Sequence, residues 1–455
     1  MPRDEADGPD GTSNRPAVDT SATADATGQQ SDEPSTVDGP TAADGGSPIA
    51  ADGQGSVAAF ETVDWTEIEP SRRGVRKRTL VFLGGVLALA AGALYDYFEV
   101  APKQPLFEGV GPEVILFGQR VLPLYWDVTG IEWLFVASVL AFACFVVVPL
   151  AAAPRLTRFY WRRLRRDRFA TASLVFLAVV FVVGVLGPVL YPPTVDTTVQ
   201  SQPPAFTSTP MNYYVSDCAG PVVGERCHGS LQYPLGTNAL GKPLTALVVS
   251  GMRVVVELAF VISLFIVPLA TAVGTVAGYF RGRIDTVLMG YVDAQQTVPA
   301  FVAYLVLAFW GRSLFLFVLV FGLFSWGGIA RLVRSETLQR REEQFVLAAK
   351  NAGASDWYVL REHVLPNVSN TVVTAVTRMI PLLILLHTAV AYMGMNKIMN
   401  ESWGETIANG FNGLHAAFPQ VWWTPVVPTV FLALTVMAFG ALGDGLRDAL
   451  DPRQA

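Results

Sequence analysis

The chain has 455 residues, of which 51% are hydrophobic and only 15% charged, and its mean hydropathy is positive. A water-soluble chain carries about 25% charged residues to cover its surface, so a soluble globular enzyme is excluded. The net charge of −6 is concentrated at one end: residues 1–70 hold 15 acidic and two basic side chains, and the remainder is slightly basic.

That acidic stretch has almost no aromatic or branched apolar residues, so it cannot bury enough surface to fold alone and is predicted to be a disordered, solvated tail. It lacks the basic start and apolar core of a signal peptide. Beyond it the pattern changes. A bilayer core about 30 Å thick needs about 20 apolar residues per crossing helix, and eight stretches qualify: 79–98, 131–150, 169–190, 254–279, 290–311, 314–333, 370–393 and 425–443. The predicted fold is all-α, a polytopic membrane helix bundle. Its parts are the tail 1–70, two added helices with a basic linker in 71–168, a helix and loop in 169–250, a core in 251–447 and a C-terminal tail 448–455.

Basic residues set the orientation, because loops on the cytoplasmic side collect Lys and Arg. Arg72, Arg73, Arg76, Lys77 and Arg78 precede the first stretch, and Arg155, Arg158, Arg162, Arg163, Arg165, Arg166 and Arg168 lie between the second and third. Counting onward puts 191–250 and 394–424 outside and 334–369 inside, with both termini cytoplasmic and the chain multi-pass in the cell membrane.

The segment 334–369 is too polar to cross. Its run Glu342–Ala352 reads as a helix, Gly353 ends or bends it, and Asp356 is placed to cap a second helix that closes at Leu365-Pro366. Ala348, Ala349, Gly353, Ala354 and Ser355 permit close approach by another protein; the alternative is an idle surface hairpin.

Cys144 lies in an apolar run and reads as packing. Cys218 and Cys227 share one polar segment on the predicted outer side, either as a disulfide or as two unpaired thiols. No Cys/His cluster suggests a metal. Gly236-Thr237-Asn238-Ala239-Leu240-Gly241-Lys242-Pro243 nearly matches a phosphate-binding loop, but Pro243 stands where a Ser or Thr must hold Mg²⁺, so the chain is expected to carry no ATPase site. Gly274-x-x-x-Gly278 is a small-residue pattern that can mark a close helix contact, and Asn400-Glu401-Ser402 is a glycosylation sequon. Polar groups inside spans are costly and raise a functional question. Arg253 and Glu257 stand one turn apart and read first as an i,i+4 pair. Arg378 and His387, nine positions apart, fall on opposite faces of one helix. His387, Arg378 and Glu257 are the candidates for a substrate path; a hydrogen-bonded histidine at a subunit contact is the alternative for His387.

Four blocks in order then resemble one family. They are Leu235–Lys242 with Gly251-Met252-Arg253; Gly278–Asp285 with Asp293 and Pro299; Ala348-Ala349-x-x-x-Gly353 followed by His363–Asn367; and Gly443–Arg453. Together they resemble permease subunits of binding-protein-dependent ABC importers of the dipeptide/oligopeptide type, over about 169–455. The resemblance implies half of a translocation pore, paired with a homologous second permease subunit. It further implies two ABC ATPase subunits that bind the ATP and Mg, an external solute-binding protein, no cofactor in this chain and no nucleic acid. The loop around 345–356 would be its coupling element, with Ala348, Ala349, Asn351, Gly353, Ala354, Ser355, Asp356, Leu365 and Pro366 at matching positions. Leu347 stands where that signature often has Glu, and His387 where peptide permeases usually carry Glu, which leaves nickel chelates, oligosaccharides or another solute as alternative cargo. The two added helices lie outside the six-helix core that the resemblance implies. An autonomous channel or secondary transporter is the reading from a different class; the detached cytoplasmic loop argues against it. A membrane-bound enzyme is disfavoured by four scattered histidines, at 228, 363, 387 and 415.

Overall fold

The computed structural model describes residues 77–99, 107–116, 119–126, 129–211, 215, 217–395, 401–412 and 418–450. The acidic tail, the sequon Asn400 and His415 lie outside the described residues.

The chain begins with helix α1 (Lys77–Glu99), an antiparallel hairpin of β1 (Phe107–Leu116) and β2 (Gln119–Trp126), and α2 (Gly130–Phe142). A π-helical turn at Ala143–Val147 joins α2 to α3 (Val148–Ala152), and the three pieces form one apolar stretch. A short basic helix, α4 (Pro154–Leu164), leads into α5 (Arg168–Leu190), whose start is capped by Asp167 accepting from the amides of Phe169 and Ala170. A connection then carries β3 (Ser208–Pro210), β4 (Val222–Val223) and β5 (Arg226–His228), in the order β3-β5-β4. Cys218 and Cys227 are joined by a disulfide within it. The remaining helices are α6 (Leu244–Phe280), α7 (Gly282–Thr297), α8 (Ala300–Leu307), α9 (Leu314–Phe324), α10 (Gly327–Arg341), α11 (Gln344–Asn351), α12 (Asp356–Val359), α13 (Leu365–Tyr392), α14 (Trp403–Asn412) and α15 (Trp423–Leu450).

Seven helical segments among the described residues are long and apolar enough to cross a bilayer: Arg78–Phe98, Gly130–Ala152, Arg168–Leu190, Leu244–Phe280, Leu314–Arg341, Asp356–Tyr392 and Trp423–Leu450. The predicted stretch 290–311 is the exception to a continuous helix. The chain leaves α7 at Thr297, passes through extended Val298 and Pro299, and restarts as α8. Pro299 lacks an amide donor and pushes the residue before it out of the helical region. The all-α expectation describes the bundle; the two small sheets sit in its connections and were not predicted.

The long helix α6 is the axis of the core. In an apolar solvent, helices associate through close packing rather than through the hydrophobic effect, and glycines set how close they come. A Cβ on Gly274 would meet the Ala330 carbonyl oxygen at 2.5 Å, and one on Gly278 would meet Thr337 Cβ at 2.7 Å. The Gly274/Gly278 pattern is therefore the seam between α6 and α10. On another face of α6, Phe260 receives Phe135 and Phe142 of α2 edge-on, at centroid distances of 5.9 and 5.4 Å.

Candidate functional site

The segment between α10 and α13 forms a compact projection at one end of the bundle. Arg341 Nη1 donates to the Tyr279 carbonyl at 2.7 Å, and Tyr279 Oη donates to Asp356 Oδ1 at 2.6 Å. Lys350 Nζ stands 4.5 Å from the centre of the Tyr279 ring and 3.8 Å from Asp356 Oδ1. These contacts fasten α11 and α12 to the last turn of α6. Gly353 turns the corner with φ +84°, a left-handed conformation that costs a side-chain-bearing residue energy. The turn closes through Gly353 N donating to Lys350 O and Ala354 N to Ala349 O, at 2.9 and 3.0 Å.

Two local expectations are corrected. The second helix is capped by Ser355, whose Oγ accepts from Tyr358 N at 3.4 Å, rather than by Asp356, whose carboxylate is engaged by Tyr279. Nor does that helix close at Leu365-Pro366. A π-helical turn spans Leu360–Val364, with Leu365 N bonded to Leu360 O, and the chain runs on into α13. Pro366 has no amide to donate and its ring crowds the carbonyl four residues back; the wider turn accommodates both.

Val346, Val359, Leu360 and Val364 point into the core, while Ala349 and Ala354 pack partly against it. Ala348, Asn351, Gly353, Ser355 and Asp356 face outward, and Leu365 and Pro366 are exposed in the first turn of α13. The apolar part of this surface was missed by the sequence reading: Phe345 is 40% exposed, Leu347 48% and Trp357 68%. The signal was available, since Phe345, Leu347 and Trp357 are large apolar residues in a segment too polar to be a span.

The other end of the bundle is closed. Thr237 Oγ1 donates to Val199 O at 2.6 Å and accepts from Gln202 N at 2.8 Å, and the Thr237 carbonyl accepts from Trp423 Nε1 at 3.0 Å. Asn238 Oδ1 accepts from the amides of Leu240 and Lys242, both at 2.9 Å, and Lys242 pairs with Glu401. The near phosphate-loop sequence is thus a side-chain-stapled turn whose lysine is committed to a carboxylate. Trp403 of α14, fully buried, donates to Val248 O at 3.0 Å and lies on Gly251, where a Cβ would approach its ring to 2.0 Å. Burial raises the Glu405 carboxyl above its ordinary range and Glu401 adds to this, with Lys242 opposing. At the opposite end, Asp285 is held below the usual carboxylate range by its bonds to Arg334, at 2.5 and 2.6 Å, against a smaller effect of burial.

The three substrate-path candidates occupy three different places. His387 is buried in a small cleft with Gly251, Val254, Val255, Leu258, Ser402 and Trp403, edge-on to Phe317 at 5.1 Å. Glu257 is buried on a neighbouring face of α6, since Arg253, Glu257 and Phe260 follow a helical spacing about a third of a turn round from Gly251, Val254 and Leu258. There Arg253 Nε donates to Glu257 Oε1 at 2.7 Å, and Arg253 also pairs with Glu132 of α2, a partner the sequence reading missed. Arg378 is half exposed and paired with Asp444 of α15 at 2.8 Å, away from the His387 cleft. Within this chain the three candidates are thus not brought together.

The fold and its two unlike ends define a multi-pass helical membrane protein. Residues 270–455 match the family described as binding-protein-dependent transport system inner membrane component, and residues 156–204 match the N-terminal TM domain of oligopeptide transport permease C. A dipeptide transport system permease protein of Bacillus subtilis is 30% identical over 298 residues, covering 64% of this chain and 84% of that protein. An oligopeptide transport system permease protein of Mycobacterium bovis is 31% identical over 299 residues, covering 64% and 92%. Its counterpart in Escherichia coli K12 is 28% identical over 294 residues, covering 64% and 89%. The chain belongs to the family of inner membrane components of binding-protein-dependent transport systems.

Proposed function

We propose that this chain is the permease subunit of an ATP-driven importer of dipeptides or oligopeptides, forming half of the pore beside a homologous second permease. The observation that carries this reading is the exposed apolar projection of α11 and α12, fastened to α6 and continuous with α13. Exposed apolar side chains rimmed by polar and small residues are a feature of protein-binding surfaces, and Leu347 and Trp357 stand beside Ala348, Gly353 and Ser355 on this projection. In this reading the projection is cytoplasmic and seats in a groove of a separate ATPase subunit, which binds ATP and Mg. Residues 191–243 and α14 face outward toward a solute-binding protein, both termini are cytoplasmic, and the membrane is the cell membrane. The names of the relatives support short peptides as cargo.

The mechanism is a two-state pore biased by a ligand on another chain. Movement of α11 and α12 is passed to α6 through Tyr279 and Arg341, and to α13 through the continuous backbone. The test is co-purification with the partner ATPases. The double variant Leu347→Asp, Trp357→Asp is expected to insert normally and to lose at least tenfold of the bound ATPase. Full retention of the ATPase by that variant would overturn the reading.

A further inference from the structure

The two added helices, α1 and α2, have no part in the function just proposed. Their contacts with the core are nonetheless specific. Glu132 lies in the first turn of α2 and is buried. Its two carboxylate oxygens do different things. Oε2 accepts from the Thr129 amide at 2.9 Å, which caps the start of its own helix. Oε1 accepts from Arg253 Nη2 of α6, and Arg253 Nε reaches onward to Glu257. On the other side, Trp133 Nε1 donates to Asp96 Oδ2 of α1 at 3.1 Å, and Trp133 lies where Gly92 leaves room for it. A chain of polar contacts thus runs Asp96–Trp133 and Glu132–Arg253–Glu257, from α1 through α2 into α6. Below it the seam is apolar and interlocked, with Phe135 and Phe142 against Phe260.

The place where this chain ends matters. With 37 residues α6 is about 55 Å long, well beyond the thickness of a bilayer core. It holds Trp403 against Gly251 near one end and Tyr279 against Asp356 at the other. The first half of α6 already rests on α5, where a Cβ on Gly184 would meet the Met252 backbone at 3.0 Å and one on Gly187 would meet Val249 at 2.3 Å, and α2 adds a charged hold beside that apolar packing. Arg253 lies half a turn past Gly251, and it is the point that α2 grips. A charged group in hydrocarbon is costly unless paired, so a Glu on α2 that meets Arg253 gives the docked position a strong preference over a slid or detached one.

We infer that Glu132 is a positioning residue of transport: through Arg253 it makes the added helix pair a brace on the first half of α6. This rests on the reading of α11 and α12 as the coupling element. The brace keeps the Gly251–Trp403 contact in register while the Tyr279 end is moved, so that work at the coupling element reaches the far end of the pore.

Two measurements test it on the full chain. In the reconstituted transporter, Glu132→Ala is expected to lower the maximal uptake rate at least tenfold, with apparent affinity for peptide within twofold and ATP hydrolysis retained. Glu132→Gln, which keeps an acceptor for Arg253, is expected to recover to within threefold of wild type. Independently of any ATPase, hydrogen exchange of residues 244–258 in lipid nanodiscs is expected to rise at least fivefold in Glu132→Ala. Wild-type uptake and wild-type exchange in Glu132→Ala would overturn the inference. Should that variant fail to insert, Glu132→Asp is read by exchange. It keeps the charge but is one methylene too short to hold Thr129 and Arg253 together, and unchanged exchange there overturns the inference. Gly353→Val is expected to stop uptake without altering exchange at 244–258, so failure of the brace and failure of the coupling reading are told apart.

Discussion

The two ends of α6 are built on opposite plans. At its first end two tryptophans are buried against the chain's own backbone: Trp403 is sealed onto Gly251, Trp423 donates to Thr237, and a disulfide ties β5 to Cys218. At its last end the charged and polar groups are paired within the chain, but Phe345, Leu347 and Trp357 are left uncovered. The first end buries its tryptophans within the chain, whereas the second leaves Trp357 68% exposed. The difference teaches that a large aromatic contributes to stability at the first end and little at the second, so under the proposed function substitutions at the two ends are expected to separate stability from coupling.

The largest loss of stability is expected at the closed end. Trp403→Ala removes a fully buried ring and orphans its bond to Val248, and is expected to destabilise by about 3–5 kcal/mol, read as a fall in thermal unfolding temperature in detergent. Replacing Cys218 and Cys227 by Ser is expected to cost about 2 kcal/mol, visible as faster proteolysis of 191–243. At the other end, Asp285→Asn is expected to cost about 1 kcal/mol through loss of the paired bonds to Arg334. The sign with pH follows from the lowered carboxyl. The wild-type advantage is present above the ordinary value of 3.8 and disappears as pH falls below it, whereas the variant is insensitive there. The smallest effect on stability, within about 0.5 kcal/mol, is expected for Trp357→Asp, although ATPase binding falls. If Trp357→Asp unfolded the protein as Trp403→Ala does, the contrast between the two ends would be broken.

Much of this was legible in the sequence because the physics is local. The spans follow from apolar length, and the corner at Gly353 from a glycine between two helical patterns. The Gly274/Gly278 seam was visible as a spacing, but only the structure names α10 as its partner. What could not be read depended on long-range pairing. Arg253 and Glu257 announce themselves at i,i+4, whereas Glu132 lies 121 positions away, and its one local clue was a capping pattern beside an apolar run. Arg378 and His387 were correctly seen to face apart, yet nothing nearby points to Asp444. The broken helix at Val298-Pro299 was missed because apolar length outweighed a proline that has room to act only when a neighbouring helix is known. The continuous helix through Pro366 was missed for the converse reason, since a π-helical turn leaves no mark in composition.

The most direct test of this chain as a pore half without an engine is uptake of a labelled short peptide into proteoliposomes. The complete set of permeases, ATPases and binding protein is expected to accumulate peptide with ATP, to stop without ATP, and to stop when Gly353 is replaced by Val. Accumulation by this chain alone, without ATP or partners, would contradict it.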